Sequence, residues 1–192
     1  MKIGIDISQS VYLGTGVGIY VRNLVESLIK IDQNNHYILF GSSLRRQTVL
    51  NEFIAGLPKN SNYTAKTFLF PPRLLSVIWN KLHAVNIEQL IGEIDILHTS
   101  DWLEPPSSAL KLTTIHDLVV YCCPENLPTR IIDTQKAKLN WVVKEAAKVI
   151  ADSQSTREDI IKYLKIPSQK IAVVPLGIEN FFYPRTNKEI AK

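Results

Sequence analysis

A chain of 192 residues with 22 Lys and Arg against 18 Asp and Glu is long enough for one domain with a full hydrophobic core. At 45% hydrophobic and 21% charged, the composition excludes a disordered, collagenous or disulfide-built protein. The net charge of +4 is no argument for nucleic acid, and it fits anionic small ligands or an anionic membrane surface.

Lys2 to Ser8 reads as a first strand, and no signal-peptide apolar core precedes it. The loop that follows carries Gly14-Thr15-Gly16-Val17-Gly18 and opens an amphipathic helix, Gly18 to Ile31, with Val21, Leu24, Val25 and Leu28 on one face. His36 to Gly41 is a second strand, Leu44 to Ala55 a helix, and Tyr63 to Phe70 a third strand stopped by Pro71-Pro72. Arg73 to Leu90 is helical with a break expected near Ala84 to Asn86. Ile94 to His98 and Leu112 to His116 are the fourth and fifth strands. Thr129 to Lys148 is a helix with Ile132, Leu139, Val142, Val143 and Ala146 inward, and Val149 to Asp152 is the sixth strand. Ser155 with Glu158 three positions on predicts a capping box. Pro167 closes that helix, Ile171 to Val174 is the seventh strand, and Pro184 to Lys192 reads as a frayed tail or linker.

Strands alternating with helices predict a single α/β domain, a Rossmann-like doubly wound parallel sheet of about seven strands. Ligands of such sheets bind beyond the carboxyl ends of the strands. His116 and Asp117, at the end of the fifth strand, and the glycine-rich turn after the first therefore face one crevice. The glycines stand at 14, 16 and 18 and the second strand ends at Gly41-Ser42 without an acidic residue, so this is not the dinucleotide fingerprint, and no Walker motif is present. A glycine-rich turn entering a helix offers free N–H groups to a phosphate; it also serves as a bare surface loop. A strand-end histidine either meets a ligand or satisfies loop carbonyls, and Asp117 either orients it or caps the next turn. His98, Asp101 and His116 lack metal-ligand spacing. The adjacent Cys122 and Cys123 make no disulfide framework and fit a reducing cytoplasm. No run approaches the roughly 18 apolar residues of a membrane span.

Five segments in register carry a resemblance: Gly16 to Tyr20, Asp95 to His98, Thr114 to Leu118, Val149 to Ile160, and Lys170 to Ile178. Over about residues 1 to 183 the chain resembles the N-terminal domain of a family 4, GT-B-fold glycosyltransferase of the mannosyltransferase-like group. The resemblance implies a retaining transferase that takes a nucleotide-sugar donor and a glycan or lipid-linked acceptor, without a cofactor or metal. It also implies a second Rossmann-like domain, the donor-binding one, absent from this chain; without it the chain is expected to be inactive. Gly16, Val17 and Gly18 would lie against the donor pyrophosphate, with Ser153 and Arg157 on the same edge. His116 would face the transferred sugar, and Asp117 would orient it or cap the loop. Asp101, Trp102 and Tyr121 would meet the acceptor. The apolar, basic stretch Arg73 to His83 would either touch the cytoplasmic face of a membrane peripherally or simply pack. A non-catalytic module binding a phosphorylated ligand or a protein partner is the other reading of the same residues.

Overall fold

The computed structural model describes residues 1–59 and 62–177; the boundary expected at 183 and the tail expected from Pro184 lie outside them. Seven parallel strands form one sheet in the order β3-β2-β1-β4-β5-β6-β7. They are β1 (Lys2–Asp6), β2 (His36–Ser42), β3 (Tyr63–Phe68), β4 (Ile96–Ser100), β5 (Leu110–Ile115), β6 (Ala146–Ala151) and β7 (Ile171–Val173). The strand order reverses between β1 and β4, which makes the crevice above that pair the place where a doubly wound sheet takes its ligand.

Both faces of the sheet are covered, so the central strands are apolar on both sides. On β2, Tyr37 and Leu39 join the cluster of Ile5, Val21, Val25, Ile29 and Leu50, while Ile38 and Phe40 join that of Leu97, Trp79, Ile87 and Ile91. A third cluster, around Ile115, Leu139, Val142, Val149 and Ile160, packs the far half.

The helices are α1 (Gly16–Ile31), α2 (Gln47–Gly56), α3 (Pro72–Leu75), α4 (Glu88–Ile91), α5 (Val119–Cys122), α6 (Thr129–Glu145) and α7 (Gln154–Asp159). α3 runs on as a π-helical stretch, Ser76–Lys81, and the expected break follows it, where His83 (φ 48°) and Val85 (φ 65°) turn left-handed. α2 begins at Gln47 and not Leu44, because Ser43 Oγ takes the N–H of Arg46 at 3.1 Å and holds the entry as a turn.

Three expectations are corrected. α6 ends at Glu145, and Ala146 to Lys148 belong to β6. Val143 is 41% exposed; the inward positions are Lys138, Leu139 and Val142, spaced as one helical face from which Val143 is a step away. The cap of α7 is Ser153 and not Ser155: Ser153 Oγ accepts from the N–H of Thr156 at 3.0 Å. Glu158 accepts instead from Gln154 at 3.2 Å, within the helix. Ser153→Ala is therefore expected to cost about 1 kcal/mol, read as a lower urea midpoint with unchanged slope. Ser155→Ala should stay within about 0.5 kcal/mol.

Candidate active site

β5 and β6 run side by side with Ile115 opposite Ala151. The next residue on each strand, His116 and Asp152, therefore emerges beside the other. His116 Nδ1 lies 3.2 Å from Asp152 Oδ2. The carboxylate accepts the Nδ1 proton and fixes the tautomer, so the neutral ring presents Nε2 as an acceptor. Nε2 is buried and has no hydrogen-bond partner among the described residues. Thr156 Oγ1 stands 3.0 Å from the His116 carbonyl and 3.1 Å from Asp152 Oδ1, so the first turn of α7 braces both strand ends.

The imidazole is held from the other side by α1. The Tyr20 ring meets it edge to face, with centroids 4.7 Å apart at 79°. Tyr20 Oη lies 3.0 Å from Thr114 Oγ1, which is also 2.9 Å from His98 Nε2. The glycine-rich turn and the histidine thus share one wall through Tyr20, four residues beyond Gly16.

Within that turn the glycines divide. A Cβ on Gly18 would fall 2.4 Å from the carbonyl of Tyr12 and 2.9 Å from Thr15 Oγ1. Its N–H already donates to Thr15 Oγ1 at 3.1 Å as the cap of α1. Gly18 is small for the sake of its own loop. Gly16 has nothing within 4 Å of a built Cβ; Gly16 and Val17 open α1, where the first N–H groups of a helix have no partner within the helix.

The other expected site residues are more dispersed. Asp117 is exposed, and its Oδ1 accepts from the N–H of Val119 at 3.0 Å in the turn that enters α5; the carboxylate that meets His116 is Asp152. Trp102 packs part-buried against the cluster of Phe40 and Trp79. Tyr121 stacks on Tyr163 with centroids 6.0 Å apart and lies 5.3 Å from the Lys136 ammonium. Both rings make these contacts while remaining part-exposed. Asp101 follows β4 with φ 58°, and burial raises its carboxyl above the usual range. Arg157 is half-buried one turn into α7, with no carboxylate partner among the described residues.

Among the described residues no group of three His, Cys, Asp or Glu converges, at His98, Asp101 and His116 or elsewhere. The thiols of Cys122 and Cys123 are free. A hollow of about 290 Å³ between α1 and α2, lined by Leu13, Arg22, Glu52 and Phe53, holds none of the groups above.

Beneath the crevice lie charges that the sequence did not announce as buried. Glu104 is fully buried; it takes Lys111 Nζ at 3.0 Å and the hydroxyl of Thr99 at 2.7 Å. Lys111 also meets Glu145 at 2.7 Å, and Glu145 reaches His83 at 2.7 Å. Asp6, at the end of β1, is pushed up to about 6 by burial, against the lowering bonds from Ser8. His98 is pushed down to about 4, first by burial and then by the charges of Lys138 and His116.

The two shifts pull stability in opposite directions. Between its ordinary 3.8 and about 6, Asp6 keeps its proton only when folded, so its contribution falls as pH rises. Between about 4 and its ordinary 6.5, His98 takes a proton only when unfolded, so its contribution grows as pH rises. Asp6→Asn removes the first and leaves the second. Stability of the variant should climb from about pH 4 to 6.5 by as much as about 3 kcal/mol more than wild type. Urea midpoints across that range check it; parallel profiles would mean Asp6 titrates as a solvated carboxylate.

Glycosyltransferase Family 4 matches residues 14–180, most of the chain. The chain belongs to that family. The O-antigen chain mannosyltransferase B of Escherichia coli is 24% identical to this family 4 domain over 192 residues, which cover 98% of the chain and 50% of that protein. The chain thus spans about half the length of the curated relative it matches. The family 4 match agrees with the resemblance to an N-terminal domain and with the seven-stranded parallel sheet. Tyr20 and Asp152 are the residues of this candidate site that sequence reasoning passed over. Asp152 had a signal: it ends the sixth strand as His116 ends the fifth.

Proposed function

We propose that this family 4 domain is the acceptor-side half of a retaining glycosyltransferase, which moves a sugar from a nucleotide-sugar donor to a glycan or lipid-linked acceptor. The donor-binding second domain lies outside this chain. The relative that is a mannosyltransferase makes mannose the first sugar to try. One observation carries the reading: the buried, unpartnered Nε2 of His116, oriented by Asp152 and Tyr20 beside the turn that opens α1.

In this reading the diphosphate lies on the N–H groups of Gly16 and Val17 at the positive end of α1, with Arg157 available to it. The bond from the anomeric carbon to the leaving phosphate oxygen breaks, and the acceptor oxygen bonds to the same face. The acceptor's hydroxyl proton passes to the departing phosphate, so no side chain of this domain serves as the base. His116 holds a hydroxyl of the sugar in transfer by accepting its hydrogen bond through Nε2. Asp117 shapes the loop.

Contact with a membrane is part of the same proposal. Among the described residues no helix is long and apolar enough to cross one. Leu75 and Trp79 are core, but Leu74, Val77 and Leu82 remain exposed beside Arg73 and Lys81, a surface suited to peripheral, cytoplasmic-face contact with a lipid-linked acceptor.

The test is a nucleoside diphosphate titrated into the chain and followed by NMR. The amides of Gly16 and Val17 and the ring of His116 are expected to move together, with weak affinity, and no sugar transfer should be detected from the chain alone. Gly16→Val should abolish the response without loss of fold, whereas Gly18→Ala should cost about 1–3 kcal/mol through its clash with Tyr12. A diphosphate that leaves Gly16, Val17 and His116 unmoved would end the proposal.

A further inference from the structure

The turn that follows the π-helical stretch is strained. His83 (φ 48°) and Val85 (φ 65°) both sit in the left-handed region, a costly place for a β-branched residue. Local bonds close the turn on its own helix: the Ala84 N–H donates to the Ile78 carbonyl at 3.0 Å, and the Trp79 indole to the Val85 carbonyl at 3.0 Å. His83 ties it to α6. Its ring lies flat on Trp141, with centroids 3.6 Å apart at 6°. Nδ1 is 2.9 Å from the carbonyl of Trp79, and Nε2 is 2.7 Å from Glu145 Oε1.

These partners decide the charge of the ring. A backbone carbonyl and an ionised carboxylate only accept, so both contacts are hydrogen bonds only when both ring nitrogens carry protons. A neutral imidazole has one N–H and must set a lone pair against an oxygen at one of the two contacts. The side chain is 10% exposed, so little water reaches it to replace the lost bond. Glu145 is not the proton donor: against its burial, the bond from Lys111 holds its carboxyl below the usual range. The other charges around the ring are Lys111, 2.7 Å from the second oxygen of Glu145, Lys144, 4.3 Å from the Trp141 centroid, and the exposed Lys81. When the ring loses a proton, Glu145 keeps Lys111. The turn alone loses its anchor.

We propose that His83 is a proton-operated clamp: the imidazolium holds the turn 82–85 on α6, and loss of one proton releases it. The clamp governs an apolar edge, since Leu82 is 68% and Val85 43% exposed in this turn. Closed, it presents that edge as one rigid surface; an anionic membrane, which concentrates protons at its face, favours the closed form. That consequence rests on the membrane contact proposed above, and the clamp does not.

The experiment follows the whole chain, labelled with ¹⁵N, by NMR from about pH 5 to about 8, the span in which histidines ordinarily titrate. At the acid end both ring nitrogens of His83 are expected to carry protons. As one leaves, hydrogen exchange of the 82–85 amides, corrected for its intrinsic rise with pH, should quicken about tenfold or more. Glu145→Gln should abolish this transition with the turn still protected at pH 8, because the amide can donate to the bare Nε2 of a neutral ring. His83→Phe keeps the stack and loses both bonds, so its turn should exchange fast throughout. A ring with a single proton across the whole range overturns the clamp. So does a ring titration that leaves the 82–85 amides unchanged, or a transition that persists in either variant. If Glu145→Gln does not fold, the wild type and His83→Phe decide alone. Phosphatidylglycerol vesicles added at both ends of the range test the membrane contact separately: failure to bind at either removes that contact, while the ring and the amides still decide the clamp.

Discussion

Lys111→Met is expected to destabilise the domain by about 3–5 kcal/mol, the usual consequence of leaving one buried charge without its partner. Lys111 is 3% exposed and Glu104 is fully buried, so neither reaches water when the other is lost. The ammonium also meets Glu145 at 2.7 Å and ties β5 to the end of α6. Its removal leaves Glu104 with the hydroxyls of Thr99 and Thr113 alone. Part of the loss should be recovered by Glu104→Gln in the same chain, since an amide tolerates that site uncharged. Urea unfolding of the two singles and the double separates the terms; coupling below about 0.5 kcal/mol would mean the pair is independent. The position has a consequence for the site, because Glu104 anchors the segment that leaves β4 through Asp101 and Trp102. Its N–H donates to Asn80 at 3.0 Å, and Asn80 in turn donates to the carbonyl of Trp102 at 2.7 Å. Loosening Glu104 should therefore blur the crevice floor before it unfolds the sheet.

The strands were legible because parallel strands buried on both faces are near-continuous apolar runs between polar breaks. Ile94 to His98 and Leu112 to His116 fall within two residues of β4 and β5. What the chain hid depends on contacts between distant segments. Ser153 and Ser155 compete as caps, and the winner is set by where β6 stops, since Thr156 must also reach Asp152 and the His116 carbonyl. Lys138 sits at an inward helical position, but a lysine there reads as solvated until Glu104, Asp101 and Asp6 are brought beneath it. Gly18 looked like a ligand-facing glycine because the crowding that forbids its side chain comes from Tyr12 and Gln9, in a loop whose path no spacing rule gives. Asp117, next to His116 in sequence, was the natural carboxylate to pair with it. Strand register gave that place to Asp152, and the alternative that Asp117 caps a turn is what the loop uses it for.

Joined to the donor-binding domain this chain lacks in our proposal, His116→Ala should lower turnover by about 10²–10³, the loss typical of one preorganised electrostatic group. The size of the effect follows from the support around the ring. Asp152 at 3.2 Å fixes the tautomer and Tyr20 fixes the plane, so Nε2 is aimed before any ligand arrives. Asp152→Asn keeps the shape but can donate as well as accept, which frees the imidazole to adopt the other tautomer; it should cost activity too, though less than losing the ring. Tyr20→Phe keeps the edge-to-face packing and loses only the Thr114 contact, so it should be the mildest of the three. Kinetics and thermal melts on the same preparations distinguish chemistry from folding. A His116→Ala enzyme that turns over normally but melts lower would make the histidine a packing residue. The unpartnered nitrogen would then need another explanation than a sugar hydroxyl.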